Sequence, residues 1–208
     1  MLGYLTTPPL ETMRAIEYWH VCLVSLLAGS IQLVLLVLIC ALKLWITITV
    51  EYAGVDHTVN VGAFAVETHG FSFDIPSHGA ITTLKAMLIL SILVLAFGIA
   101  AQIVSATKKE ISCCGPLCFM RLSEGLYILS GIFLMIGIIE YQKFFNDNAD
   151  EINNRIPGEE PFYFASAYHL AWAICIIFLL FVLVKTIYVN FVLDIKGLTA
   201  KRTRQEVY

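Results

Sequence analysis

Proline is absent from four long apolar runs of this sequence, so nothing in them breaks a helix. The runs are residues 21–44, 84–106, 123–141 and 162–188. A helix needs roughly 20 apolar residues to cross a hydrocarbon core of about 30 Å, and each run is near or above this length. The runs are too long for the strands of an outer-membrane barrel. Because the chain is 59% hydrophobic and 14% charged, it is predicted to be a membrane α-helical protein, a four-helix transmembrane bundle forming one domain over residues 1–208.

Motifs of catalysis are also missing. The sequence contains no G-x-S-x-G, H-E-x-x-H or P-loop pattern, and the histidines between the first two runs, His57, His69 and His78, lack the close spacing of a metal site. No run is interrupted, and none carries a central carboxylate for binding a transported substrate. We therefore expect no enzyme activity, no cofactor and no transport, and no nucleic acid as a partner.

Basic residues are scarce on one side of the predicted bundle. Residues 45–83 contain no lysine or arginine, and residues 142–161 contain five acids against Lys143 and Arg155. The remaining segments carry most of the basic residues: Lys108, Lys109, Arg121, Lys185, Lys196, Lys201, Arg202 and Arg204. Because basic residues stay on the cytoplasmic side, residues 1–20, 107–122 and 189–208 are predicted to be cytoplasmic, with both outer loops extracellular at the plasma membrane.

The first outer loop alternates like β-strands. In "WITITVEY" (residues 45–52) β-branched apolar residues alternate with polar ones, "AGVD" has turn chemistry, and "HTVNVGAFAVE" alternates again. After a second turn signal, "FSFDI" (residues 71–75) is predicted to be a third strand. Since two strands alone are marginal, we expect a small extracellular antiparallel β-sheet of three or more strands, completed by the second outer loop.

This architecture resembles the claudin, peripheral myelin protein and calcium-channel gamma subunit superfamily, which includes clarins and hair-bundle tetraspan proteins. Trp45 stands where that superfamily has a tryptophan at the end of its first span, and "HGFSFD" stands where claudins have G-L-W. The claudin cysteine pair is absent from the loop. The resemblance implies a protein that works by contact, as an auxiliary subunit or as an adhesion protein.

Without cysteines or an N-x-S/T sequon, the loop has neither a disulfide of its own nor a glycan to shield it. Its aromatic residues are therefore candidates for contact with a partner: Trp45, Phe64, Phe71 and Phe73. The alternative is that these aromatics pack on the helix ends.

The cytoplasmic segment "KKEISCCGPLCFMR" contains Cys113, Cys114 and Cys118 beside basic residues at the predicted membrane surface. Their position makes them candidates for S-palmitoylation, which would bind the loop to the lipid bilayer. Inert interfacial thiols are the alternative. A structural zinc site would need four ligands, and no histidine is near.

Four ionisable residues lie at helix ends. Glu124 follows Arg121 by three residues, so the two could pair on one helical face, while Glu140 and His169 lie near the outer ends of their spans. We expect local pairs or capped bundle ends here, with a proton or ion site as the alternative. The lone Gln32 and Gln102 are expected to hydrogen-bond between helices.

The C-terminal Glu206, Val207 and Tyr208 could add as a strand to a PDZ-type scaffold, although a short charged tail is usually only solvated. The function expected from the whole sequence is that of an auxiliary or scaffolding subunit of a larger membrane complex, a channel or a receptor. The alternative is claudin-like cell-cell adhesion or a paracellular barrier at a cell junction, which requires self-association.

Overall fold

Four helices long and apolar enough to cross a membrane make up most of the chain. The structure, a computed structural model, describes residues 10–42, 44–52, 55–64, 66–67, 79–107, 116–148 and 163–189. The helices are α1 (Leu10–Ala41), α2 (Ala80–Ala106), α3 (Pro116–Asp147) and α4 (Ser166–Ile187). The predicted four-helix membrane bundle is confirmed. Helices α1 and α3 extend beyond the apolar runs because a helix can continue where the chain leaves the hydrocarbon.

Two of the three strands predicted between the first two spans are also present. Antiparallel strands β1 (Ile46–Tyr52) and β2 (Val55–Val61) pair over seven residues, and β3 (Val66–Glu67) and β4 (Tyr163–Phe164) add two residues each. The sheet order is β3-β2-β1-β4. Strand β4 falls just inside the predicted run 162–188, so the fourth strand comes from residues that directly precede α4 and not from the predicted loop 142–161. The alternating segment 57–67 forms two strands rather than one, because the chain turns back between Val61 and its partner Val66. The predicted strand 71–75 lies outside the described residues.

The sheet and the bundle share one hydrophobic core. Ile46, Ile48, Val59 and Val61 on the inner face of the sheet are buried with residues from all four helices. Hydrogen bonds fix the junction, since the backbone N–H of Ala165 donates to the carbonyl of Trp45 at 2.9 Å. The sheet is therefore part of the same packed unit as the helices, which explains how it is stable without a disulfide.

Helices α2 and α3 pack against each other through small and polar side chains. Ser91 and Ser130 each donate to the backbone carbonyl of the other at 3.0 Å. A Cβ on Gly137 would lie 3.0 Å from the Cβ of Met87, so glycine allows the close approach. Contacts of this kind hold transmembrane helices together where the hydrophobic effect cannot.

Candidate functional site: a charged cluster between the helices

A buried ion pair joins α3 to α4 at the end of the bundle opposite the sheet. The Nζ atom of Lys185, in the last turn of α4, lies 3.6 Å from Oε1 of Glu124, near the start of α3. Both side chains are 5% exposed. Two charges held inside a membrane bundle are costly unless each has a partner, so such a pair marks a site to be explained.

The other two helices contribute to the same place. Lys185 donates a hydrogen bond to Oε1 of Gln102 on α2 at 3.3 Å, which confirms the expectation that Gln102 bonds between helices. Its ammonium also lies 5.5 Å from the ring centroid of Tyr127 on α3, within the range of a cation–π contact. The hydroxyl of Tyr127 donates to the carbonyl of Ser25 on α1 at 3.4 Å.

A further contact ties α1 to α2. The hydroxyl of Tyr18 donates to the carbonyl of Ser105 at 3.1 Å and is hydrogen-bonded to the Ser105 hydroxyl. We refer to the residues that make these connections as the polar cluster: Tyr18, Ser25, Gln102, Ser105, Glu124, Tyr127 and Lys185. Through the cluster, each helix is connected to at least one other helix by a polar contact.

Two glycines make room for the Tyr127 ring. A Cβ on Gly98 of α2 would lie 2.6 Å from Cδ1 of Tyr127, and a Cβ on Gly29 of α1 would collide with the Tyr127 hydroxyl. The ring therefore fills a slot between α1 and α2 that only glycine leaves open. The slot holds the Tyr127 ring beside Lys185.

The cluster combines one carboxylate, one ammonium, an amide and hydroxyls. Within the described residues, no group of three or more His, Cys, Asp or Glu side chains could hold a metal ion. Nε2 of Gln102, Oγ of Ser123 and Oε1 of Glu124 are buried without a hydrogen bond to any described residue. The direct consequence of the arrangement is mechanical, because it fixes how the helices meet at this end of the bundle.

The predicted contact aromatics separate into different environments. Trp45 is fully buried: its indole N–H donates to the carbonyl of Ile39 at 3.1 Å, and its ring meets Tyr141 edge-on at 5.6 Å. This matches the alternative that an aromatic of the loop packs on the helix ends. Phe64 remains 42% exposed, with Lys85 Nζ 6.0 Å from its ring centroid. Phe71 and Phe73 lie outside the described residues.

The predicted ionisable residues also differ. Glu124 is buried against Lys185 on another helix, whereas Arg121, Glu140 and His169 are exposed. Cys118 is exposed at the start of α3. Five residues of the other predicted sites lie outside the described part of the chain, which leaves those predictions as they stand: Cys113, Cys114, Glu206, Val207 and Tyr208.

Lys185 is the residue that the sequence analysis misplaced. The charge count groups it with the basic tail although it lies inside the predicted run 162–188, and in the structure it belongs to α4 and is 6% exposed. The bounds of that run are the signal that places the lysine within a span. The partners Gln102 and Glu124 lie on other helices, and no spacing along the chain reveals that they meet.

No protein-family model matches this chain, and no curated protein is significantly similar to it. The resemblance to the claudin and peripheral myelin protein superfamily therefore stays a prediction from the sequence.

Proposed function

We propose that this four-pass protein is a non-enzymatic auxiliary or scaffolding subunit of a larger membrane protein, a channel or a receptor. In this proposal its helices bind the partner laterally and its sheet touches the partner's extracellular part. The chain lies in the plasma membrane with both termini in the cytoplasm, which the distribution of basic residues supports.

One observation carries the proposal: a single core joins a small sheet to four helices, and the outward faces of α1 and α4 are large and apolar. Val34 on α1 and Ile177 on α4 are each 67% exposed within the chain. Such faces contact either lipid or another transmembrane helix. A packed unit that presents apolar helix faces and carries a sheet at one end of the bundle suits lateral binding to a membrane protein with an extracellular domain.

The test is stoichiometric co-purification in both directions. The tagged chain is extracted from its native membrane in mild detergent, and mass spectrometry measures the molar ratio of every membrane protein recovered with it. We expect one larger membrane protein at a fixed ratio, and purification through a tag on that protein should recover this chain at the same ratio. Recovery of the chain alone, or only as a homo-oligomer, would contradict the proposal.

The role of the sheet needs its own variant. Phe64→Ala removes the exposed aromatic side chain between β2 and β3, and Thr58→Ala, on an exposed residue of β2, is the matched control. We expect Phe64→Ala to lower the recovered ratio at least several-fold and Thr58→Ala to leave it unchanged. Clustering of non-adherent cells that express the chain, with no co-purified partner, would favour adhesion instead.

A further inference from the structure

A groove runs between α1 and α4 on the outside of the bundle. Its volume is about 260 Å³, and its lining is apolar except for one amide. Ala28 and Ile31 line it from α1, and Ile174, Ile177 and Phe181 line it from α4. The amide belongs to Gln32, which was expected to hydrogen-bond between helices.

Gln32 differs from this expectation within the described part of the chain. Its side chain lines the groove and is only 4% exposed, and it forms no hydrogen bond with any residue that the structure describes. Gln102, by contrast, accepts a hydrogen bond from Lys185. A glutamine amide offers two N–H donors and a carbonyl acceptor, and in hydrocarbon all of them need partners.

The depth of Gln32 limits what could supply these partners. At about 1.5 Å per residue, Gln32 lies about 21 Å from the Tyr18 end of the first span and about 14 Å from its Ala41 end. Lipid headgroups and sterol hydroxyls lie at the membrane surface, and acyl chains have no hydrogen-bonding groups. A polar side chain on another transmembrane segment reaches this depth and can supply the matching group.

We propose that the α1–α4 groove binds a transmembrane helix of the partner protein, and that this helix presents an Asn, Gln, Ser or Thr side chain to Gln32 at the middle of the membrane. This inference rests on the proposed function and names the surface through which it acts. Ala28, one helical turn from Gln32, keeps the groove open to a neighbouring helix. A side chain that bonds the Gln32 amide also places the bound helix in one register.

The test uses synthetic transmembrane helices as probes. The fluorescently labelled full chain is reconstituted in phosphatidylcholine bilayers with a labelled 21-residue Leu/Ala helix that carries either Asn or Leu at its centre, and energy transfer measures binding. We expect the Asn probe to bind at least five-fold more tightly than the Leu probe. Gln32→Leu should remove this preference and Gln32→Asn should keep it. Ser30→Ala, a polar-to-apolar change at an exposed position of the same helix, is the control and should keep the preference.

Four results would overturn the inference. Equal binding of the two probes would show that no amide is recognised, and an unchanged preference in Gln32→Leu would place recognition elsewhere. Energy transfer between two copies of the chain that is lost in Gln32→Leu would identify a second copy as the occupant.

If the native partner still co-purifies with Gln32→Leu at an unchanged ratio, the groove inference fails while the auxiliary function stands. If no partner co-purifies with the unchanged chain, the function itself fails.

Discussion

Lys185 on α4 and Glu124 on α3 face each other inside the bundle, with 3.6 Å between Nζ and Oε1 and 5% of each side chain exposed. The two residues are far apart in sequence and lie on different helices. Their contact joins the last turn of the chain's final described helix to the first turns of the helix before it. The pair lies at the end of the bundle that lacks the sheet.

Removing either partner of this pair should destabilise the protein far more than removing both. Lys185→Met leaves the Glu124 carboxylate buried without its cation, so we expect a loss of about 3 to 5 kcal/mol in the free energy of unfolding. The double variant Glu124→Leu with Lys185→Met should lie within about 1 kcal/mol of the original chain. Unfolding by sodium dodecyl sulfate in mixed micelles, followed by circular dichroism, measures all of these values.

The control for the lysine is Lys143→Met, because Lys143 lies on an exposed face of α3. It should change the free energy of unfolding by less than about 0.5 kcal/mol. A double variant as unstable as Lys185→Met alone would show that the two charges are not energetically coupled.

The slot around Tyr127 makes a second prediction. Gly98→Ala places a Cβ 2.6 Å from the Tyr127 ring, so we expect it to lower the free energy of unfolding by about 1 to 3 kcal/mol. Gly29→Ala should be similarly destabilising, but its collision involves the Tyr127 hydroxyl. Tyr127→Phe should therefore relieve part of the cost of Gly29→Ala and none of the cost of Gly98→Ala.

Gly125→Ala is the matched control on α3, since a Cβ there meets nothing within 4 Å. Alanine favours a helix over glycine by up to about 1 kcal/mol, so this variant should be as stable as the original chain or more stable. Equal effects of the alanine at all three glycines in thermal unfolding would mean that helix propensity, rather than the slot, sets the outcome.

Trp45 should behave as a core residue. Trp45→Ala opens a cavity beside Tyr141 and should cost about 3 to 5 kcal/mol of unfolding free energy. Trp45→Phe keeps most of the volume but leaves the Ile39 carbonyl without its indole donor, at a cost of about 1 to 3 kcal/mol. Trp19→Ala, at a residue 49% exposed, should cost less than about 1 kcal/mol. If Trp45→Ala left the stability unchanged but weakened partner binding, Trp45 would be a contact residue and not a core residue.

The architecture could be predicted from the sequence because its signals are local. The unbroken apolar runs identify four helices, and the alternation of Ile46, Ile48 and Val59 with polar neighbours identifies the strands that face the core. The limit of this reasoning is visible at segment 57–67, where alternation continues through a turn. An alternating pattern shows which face of the sheet each residue lies on, but it does not show where the chain reverses direction.

The candidate site could be predicted only in part. Glu124 was identified as an ionisable residue at a helix end, and its spacing suggested Arg121 as a partner on the same helix. The structure adds a partner from another helix, Lys185 of α4, and Gln102 joins it from α2. Residue spacing describes neighbours on one helix, whereas these contacts depend on how the helices are rotated and placed against each other.

The sequence by itself determined that the chain crosses the membrane four times and carries a strand-rich loop, because the length and polarity of each segment decide whether lipid or water surrounds it. Only the tertiary structure decided which polar residues find partners. Gln102 meets Lys185, whereas Gln32 lies in an apolar groove without a bond to any described residue. The two glutamines look alike in sequence, and they differ because helix packing turns one toward a buried cation and the other toward the outside of the bundle.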